Sequence, residues 1–306
     1  MKRFLAFLSA TAMAGLAAAH SSQRGPQFDF GPPANLGSIV NSPAFDGGPS
    51  ISTDGLSLYF TSERPGGLGG GDLWVAKRGK APDPFGPPQN LGAGINSPAN
   101  EFAPSISADG LSLYFDSDRP GGLGLSDVWV ATRAATSEPF GTPRNLGVGV
   151  NSSASDGLPS ISADGLSLHF CSRRAGGSGG MDLWVARRNT TSEPFVEAES
   201  LGPVVNSPNY DGEPSISADG LHLFFSSDRP GGHGNRDMWV AARAGPSTPF
   251  GRPRNLGPVV NSPAHDVRPS ISADDSTLFF MSDRPGGSGH IDLWQASNRP
   301  PARRRR

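Results

Sequence analysis

The stretch from Pro104 to Trp129, Pro-Ser-Ile-Ser-Ala-Asp-Gly-Leu-Ser-Leu-Tyr-Phe-Asp-Ser-Asp-Arg-Pro-Gly-Gly-Leu-Gly-Leu-Ser-Asp-Val-Trp, returns in close variants starting at Pro49, Pro159, Pro214 and Pro269. Each start lies 55 residues after the one before it. Leu36, Leu91, Leu146, Leu201 and Leu256 keep the same step, as do Trp74, Trp129, Trp184, Trp239 and Trp294. Five units without an insertion or deletion between them define a repeat architecture, in which each unit buries its apolar surface only against its neighbours. The period spans about Phe30 to Trp294, which predicts one domain of five equivalent units.

Within the second unit, Pro104 to Ser107 reads as a short first strand and Asp109-Gly110 as a tight turn, since Asp-Gly supplies the positive φ that a hairpin needs. Leu111 to Ser117 is the second strand, Asp118 to Ser126 a glycine-rich loop, Asp127 to Arg133 the third strand, and Pro143 to Leu146 the fourth. Gly (41) and Pro (30) make up close to a quarter of the chain, but they fall between apolar runs such as Leu56 to Phe60 and Leu73 to Ala76, where turns require them. The second strand is apolar on both faces, with Leu111, Leu113 and Phe115 on one side and Tyr114 on the other. A sheet with one wet face would alternate instead. Short four-stranded sheets buried on both faces and repeated around an axis are propeller blades.

The ends of the repeat predict how the ring closes. Phe30 to Leu36 matches Phe85 to Leu91, a fourth strand, whereas the last unit stops after its third strand near Ala296. The expected fold is therefore all-β: a five-bladed β-propeller of four-stranded antiparallel blades, closed by the N-terminal strand completing the last blade. Residues 1–19 read as a signal peptide (basic Lys2 and Arg3, apolar Phe4 to Leu16, Ala17-Ala18-Ala19), 20–27 as a linker, 28–298 as the propeller and 299–306 as a basic disordered tail. This predicts a periplasmic or secreted protein without a transmembrane segment. A net charge of −2 gives no reason to expect nucleic acid. Cys171 is alone, which excludes an intrachain disulfide, and it reads as a packed residue.

Pro-Ser-Ile-Ser-Ala-Asp-Gly, Leu-Tyr-Phe, Ser-Asp-Arg-Pro-Gly-Gly and Asp-Val-Trp-Val together resemble the WD40-like PD40 β-propeller repeat of the TolB-like propeller family, over nearly all of the chain after the signal. The resemblance implies a propeller of the bacterial envelope that serves as a binding platform.

The meander topology sorts the charges. The crossover into each first strand supplies Asp46, Glu101, Asp156, Asp211 and Asp266, a candidate acidic ring for binding. Their preceding residues Phe45, Asn100, Ser155, Tyr210 and His265 vary between otherwise similar units, as binding contacts would. A second set, Arg64, Arg119, Arg174, Arg229 and Arg284 with Asp72, Asp127, Asp182, Asp237 and Asp292, reads as a structural loop network in which one Arg braces two carboxylates. No residue is assigned to catalysis and no cofactor is implied. Ca²⁺ is the cation that the oxygen ligands would suit, but no metal site is assigned. The expected function is an exported, non-catalytic, monomeric propeller that contacts an envelope protein or a glycan by its acidic face. Two alternatives stand beside it: a glycoside hydrolase-like enzyme using carboxylates at the channel mouth, and a Ca-stabilised structural scaffold.

Overall fold

A computed structural model describes residues 28–299. The expected signal peptide, the linker up to residue 27 and the tail beyond Arg299 lie outside the described residues. A short strand β1 (Ala34–Asn35) opens the fold. The first blade follows as β2 (Asp46–Ile51), β3 (Ser57–Ser62), β4 (Asp72–Lys77) and β5 (Gln89–Asn90), and the second as β6 (Glu101–Ile106), β7 (Ser112–Ser117), β8 (Asp127–Thr132) and β9 (Arg144–Asn145). The third is β10 (Asp156–Ile161), β11 (Ser167–Ser172), β12 (Asp182–Arg187) and β13 (Glu199–Ser200). The fourth is β14 (Asp211–Ile216), β15 (His222–Ser227), β16 (Asp237–Ala242) and β17 (Arg254–Asn255). The fifth, β18 (Asp266–Ile271), β19 (Thr277–Ser282) and β20 (Asp292–Ser297), takes β1 as its outer strand, with Ala34 opposite Gln295 and Asn35 opposite Trp294. The fold class and the closure are as the repeat predicted.

The inner strands start earlier than the sequence indicated, at Glu101 and not Pro104 in the second blade. The reason is a bulge. In every blade the register of the first strand pair shifts across the dipeptide that ends in the repeated proline, between Gly47 and Ser50 in the first blade. Proline has no N–H for the ladder, and the bulge accommodates it there. The residue ahead of it takes positive φ throughout: Gly48 (63°), Ala103 (49°), Leu158 (57°), Glu213 (59°) and Arg268 (55°). For the four non-glycine residues this conformation costs about 1 kcal/mol each. These five residues ring the axis on the crossover side and leave only about 30 Å³ between them.

Two further rings tie blade to blade. Ser50, Ser105, Ser160, Ser215 and Ser270 each accept, through Oγ, the amide of an isoleucine one blade on, at 3.1–3.3 Å. Asn96 caps the outer edge of the preceding blade: its side-chain oxygen accepts Leu73 N at 2.8 Å and its Nδ2 donates to Leu73 O at 3.1 Å. Asn41, Asn151, Asn206 and Asn261 repeat the arrangement. Between blades lie apolar clusters, such as Tyr59, Leu73, Val75 and Ile95 against Ile106, Phe115, Trp129 and Phe140. Both faces of each sheet are therefore buried, which is why the strands do not alternate.

One guanidinium locks the head of each blade. Arg174 Nη2 donates to Asp156 Oδ1 at 2.6 Å and to the Val150 carbonyl, while its Nε donates to Ser172 Oγ at 2.9 Å. Its guanidinium carbon lies 5.3 Å from the Phe170 ring centroid and 5.1 Å from that of Trp184. Asp156 has no solvent exposure. Removing its charge should leave Arg174 uncompensated and destabilise the fold by roughly 3 kcal/mol. Urea unfolding of Asp156→Asn checks this against Asp54→Asn, an exposed turn position; a loss under about 1 kcal/mol for Asp156→Asn would mean that the pair is no clamp.

Candidate active site

The five acids of the expected ring do not face solvent. Asp46, Glu101, Asp156, Asp211 and Asp266 have fully buried side chains, each paired with Arg64, Arg119, Arg174, Arg229 and Arg284 in turn. Their second oxygens are engaged too: Asp46 Oδ2 accepts Ser42 N and Oγ, and Glu101 Oε2 accepts Ser97 N. This placement corrects the expectation of an open acidic face. The loop network also differs from the expected form. Each Arg braces one carboxylate and one backbone carbonyl, whereas Asp72 is taken by its own loop, accepting Leu68 N at 2.9 Å and Gly69 N at 3.4 Å. Asp127, Asp182, Asp237 and Asp292 close the same turn. The loop amides lie three to four residues from the Asp, closer than any guanidinium. A Cβ on Gly67 would sit 1.7 Å from Asp72 Oδ2, which explains the glycine there.

The variable neighbours line the crossover face, all partly buried. Asn100 holds Asp118 through its backbone N (2.8 Å) and Nδ2 (2.9 Å). Phe45 meets Phe102 edge-on with centroids 6.2 Å apart. Ser155, Tyr210 and His265 bridge to Ser126, Met181 and Arg236, the residues that precede the third strands of the blades before them.

What breaks the five-fold pattern lies further in. The penultimate position of the second strand serves the next blade in four blades of five by accepting its bulge amide: Thr61 Oγ1 takes Ala103 N (3.1 Å), Cys171 Sγ takes Glu213 N (3.4 Å) and Ser226 Oγ takes Arg268 N (3.0 Å). In the second blade the acceptor is Asp116, whose Oδ1 takes Leu158 N at 3.0 Å while Oδ2 lies 3.4 Å from Ser126 Oγ. Loss of water around Asp116 pushes its carboxyl up to about 6, with Arg268 pulling the other way. The bulge itself carries Glu213 and Arg268 where the other blades have Gly48, Ala103 and Leu158. Glu213 Oε1 faces Arg268 Nε at 3.5 Å and Arg236 Nη1 at 3.7 Å, and Glu213 Oε2 accepts Arg268 N at 3.3 Å. Arg236 stacks on Tyr210, 3.7 Å from the ring centroid, and burial together with Glu213 raises the Tyr210 hydroxyl well above its ordinary value. Cys171 touches the same cluster; burial raises its thiol, and the Glu213 and Asp116 charges add to the shift.

Asp116, Cys171, Leu158, Phe102, Asn100, Ser126 and Ser155 line a cavity of about 300 Å³ at this mouth, and Leu158 also rims the axial opening beside Glu213 and Arg268. A larger cavity of about 580 Å³ lies on the opposite face between the first two blades. It recurs with matching residues between the next two, at about 270 Å³, and is a groove common to the repeat. The charge cluster occurs once. Sequence reading passed over Asp116 and Glu213. Their signal was a carboxylate at positions held in the other blades by residues without one: Thr61, Cys171, Ser226 and Met281 for Asp116, and Gly48, Ala103, Leu158 and Arg268 for Glu213. Among the described residues no group of three or more His, Cys, Asp and Glu side chains is arranged to hold a metal ion.

No protein-family model and no curated protein matches the chain. Solved structures match its fold. TolB from Acinetobacter baumannii superposes with a TM-score of 0.53 at 15% identity, over 86% of this chain and 56% of that one. The GH43_1 enzyme from Xanthomonas citri, complexed with xylotriose, gives 0.57 at 17% identity over 87% and 90%. CoXyl43, a GH43 β-xylosidase/α-arabinofuranosidase from a compost metagenome, gives 0.55 at 13% over 89% and 95%. At these identities the likeness is one of fold. It corrects the expectation that the fold favours a non-catalytic platform, because GH43 glycoside hydrolases carry this propeller as well as TolB.

The raised carboxyl has a stability signature. The Asp116 value of about 6 lies above an ordinary 3.8, so its protonated form favours the fold. That contribution is complete below about pH 4 and lost as pH rises through 6. Relative to Asp116→Asn, the native chain should lose about 2–3 kcal/mol between pH 4 and pH 8. Urea midpoints at the two pH values measure it, and a difference that does not change with pH would contradict the assignment.

Proposed function

We propose that the chain is a glycoside hydrolase-like enzyme with its chemistry at the crossover-face mouth, Asp116 acting as proton donor and Glu213 as the second carboxylate. One observation carries this reading: two buried carboxylates in unlike surroundings stand at the mouth of a ring whose other buried carboxylates are structural and repeat five times. Cleavage of a glycosidic bond needs one carboxyl group to protonate the leaving oxygen and another to assist attack at the sugar carbon. Environments that set two carboxyls apart assign those roles. Asp116, short of water, keeps its proton towards neutral pH and borders the cavity. Glu213 lies between two arginines, 3.5 Å from Arg268 Nε and 3.7 Å from Arg236 Nη1.

The cavity suits a sugar in other respects. Its volume is at the lower end for small-molecule sites, and Asn100, Ser126 and Ser155 offer hydrogen-bonding groups beside the ring of Phe102. The fold match to an enzyme complexed with xylotriose supports the same reading. The PD40-like motifs and the signal-like N-terminus complete it: an exported enzyme that meets saccharides in the periplasm or outside the cell.

The test is an assay of the purified chain on 4-nitrophenyl glycosides and on xylo- and arabino-oligosaccharides. Asp116→Asn and Glu213→Gln should each lower kcat roughly 10²–10⁴-fold without unfolding the protein, while Glu63→Gln on the exposed rim leaves it unchanged. Absence of hydrolysis across the panel, or full activity in both carboxylate variants, would sink the proposal.

A further inference from the structure

Three nitrogen atoms at the mouth are out of contact with water and make no hydrogen bond among the described residues: Nε and Nη1 of Arg268 and Nε of Arg236. A buried donor without a partner costs about 1–3 kcal/mol, so a cluster of them needs an explanation. Glu213 does not satisfy them. Its Oε1 lies 3.5 Å from Arg268 Nε and 3.7 Å from Arg236 Nη1, close enough to share charge but not in hydrogen-bonding geometry. Its other oxygen is already tied to the Arg268 backbone.

The two cations are additions to the scaffold. The bulge position of Arg268 is Gly48, Ala103, Leu158 and Glu213 in the other blades, and the position of Arg236 is Gly71, Ser126, Met181 and Ile291. Four blades of five close without an arginine at either place, so neither residue is needed to build a blade. Arg268 also holds a left-handed φ of 55° that glycine provides without strain at Gly48. Its guanidinium reaches the neighbouring first blade, where a Cβ on Gly48 would lie 3.0 Å from Arg268 Nη1. Both heads keep a path to solvent, with side-chain exposures of 16% for Arg268 and 27% for Arg236. Strained, incompletely paired and placed at the one asymmetric mouth, they resemble a recognition device more than a brace.

We propose that Arg268 and Arg236 read a carboxylate on the substrate, which makes the substrate class an acidic saccharide built on uronic acid residues. This rests on the preceding reading that the mouth takes a saccharide. A planar carboxylate matches the fork of a guanidinium through two parallel charge-assisted hydrogen bonds, and it would satisfy donors that the empty site leaves unpaired. A neutral sugar offers only single hydroxyl acceptors, which carry no charge to match the two cations and do not fit the fork in parallel. Sites built to pair a polar group discriminate strongly against the analogue that lacks it. Tyr210, flat beneath Arg236, fixes the plane in which that fork is presented.

The experiment separates recognition from hydrolysis. Binding of trigalacturonate, of neutral galactotriose and of inorganic sulfate is measured by calorimetry on Asp116→Asn, which retains both arginines. Trigalacturonate should bind at least tenfold more tightly than galactotriose, and adding Arg268→Ala or Arg236→Gln should each erase the preference, with thermal melts confirming the fold. Equal binding of the acidic and neutral trisaccharides overturns the inference, as does a preference that survives both arginine variants. Sulfate binding as tight as trigalacturonate also overturns it, since the mouth would then be a general anion site. The native chain is assayed in parallel. Cleavage of neutral saccharides without a uronate preference keeps the hydrolase reading and rejects this one. A uronate preference without cleavage of any saccharide supports this inference and rejects the hydrolase.

Discussion

The carboxylate at the head of each inner strand has no access to water, and the protein must compensate its charge. A buried carboxylate left alone costs several kcal/mol, so the guanidinium that faces it fixes where the crossover and the glycine-rich loop can lie. Arg64 reaches Asp46, the Val40 carbonyl and Ser62 at once, and its face covers Phe60 and Trp74. The same carboxylate residue donates its backbone amide to the blade before, as Asp46 N does to Ile291 O and Glu101 N to Gly71 O. Each clamp therefore pins its own loop and docks its neighbour. Five of them around a closed ring over-determine the backbone between them, and positive φ persists at Ala103, Leu158, Glu213 and Arg268 because nothing nearby can relax.

That rigidity separates two kinds of position. Residues of the clamp, the serine ring and the interblade clusters face partners supplied by the next copy of the same unit, so a change in one copy spoils a fit that the others keep. The bulge residue faces the axis, where Ala103, Leu158, Glu213 and Arg268 converge with Gly48. The second-strand acceptor needs only to offer an atom to the next bulge amide, which a hydroxyl, a thiol or a carboxylate can do. These are two of the places where the repeat can hold an unlike residue without loss of fold. They are also the places that carry Asp116, Glu213 and Arg268.

The same division explains what the sequence made legible. The 55-residue step, the Asp-Gly turns and the displaced fourth strand at Phe30 to Leu36 are properties of the average unit, and they led directly to five blades and their closure. The Arg-to-acid pairing was also visible as a co-repeating set, but its partition was not. Whether Arg64 or the loop amides take Asp72 depends on a turn only a few residues long, which spacing alone does not reveal. The acidic ring was misplaced for a related reason: repetition marks residues that the fold uses, and these five are used inside it. Asp116 sat at a position read through Cys171 as simple packing, and Glu213 at one that the proline signature made look uniform. The bulge geometry brings both to the same mouth, Asp116 on the Leu158 amide and Glu213 beside Arg268.

The charges at the mouth depend on one another in a fixed direction. Arg268 is the group that draws the Asp116 carboxyl down against its desolvation. An anion seated on Arg268 weakens that pull, and Asp116 then holds its proton more firmly than in the empty site. A neutral ligand displaces water from the cavity and adds to the desolvation of Asp116, but it leaves the pull of Arg268 in place. With an acidic saccharide in place, recognition by the arginines and retention of a proton on the acid become one electrostatic event. Glu213, paired with the same guanidinium, gives up part of that contact when a competing carboxylate takes a share of the positive charge, which leaves its side chain freer to turn towards the sugar. A single asymmetric cation on a five-fold scaffold can thus set both carboxylates for their separate tasks.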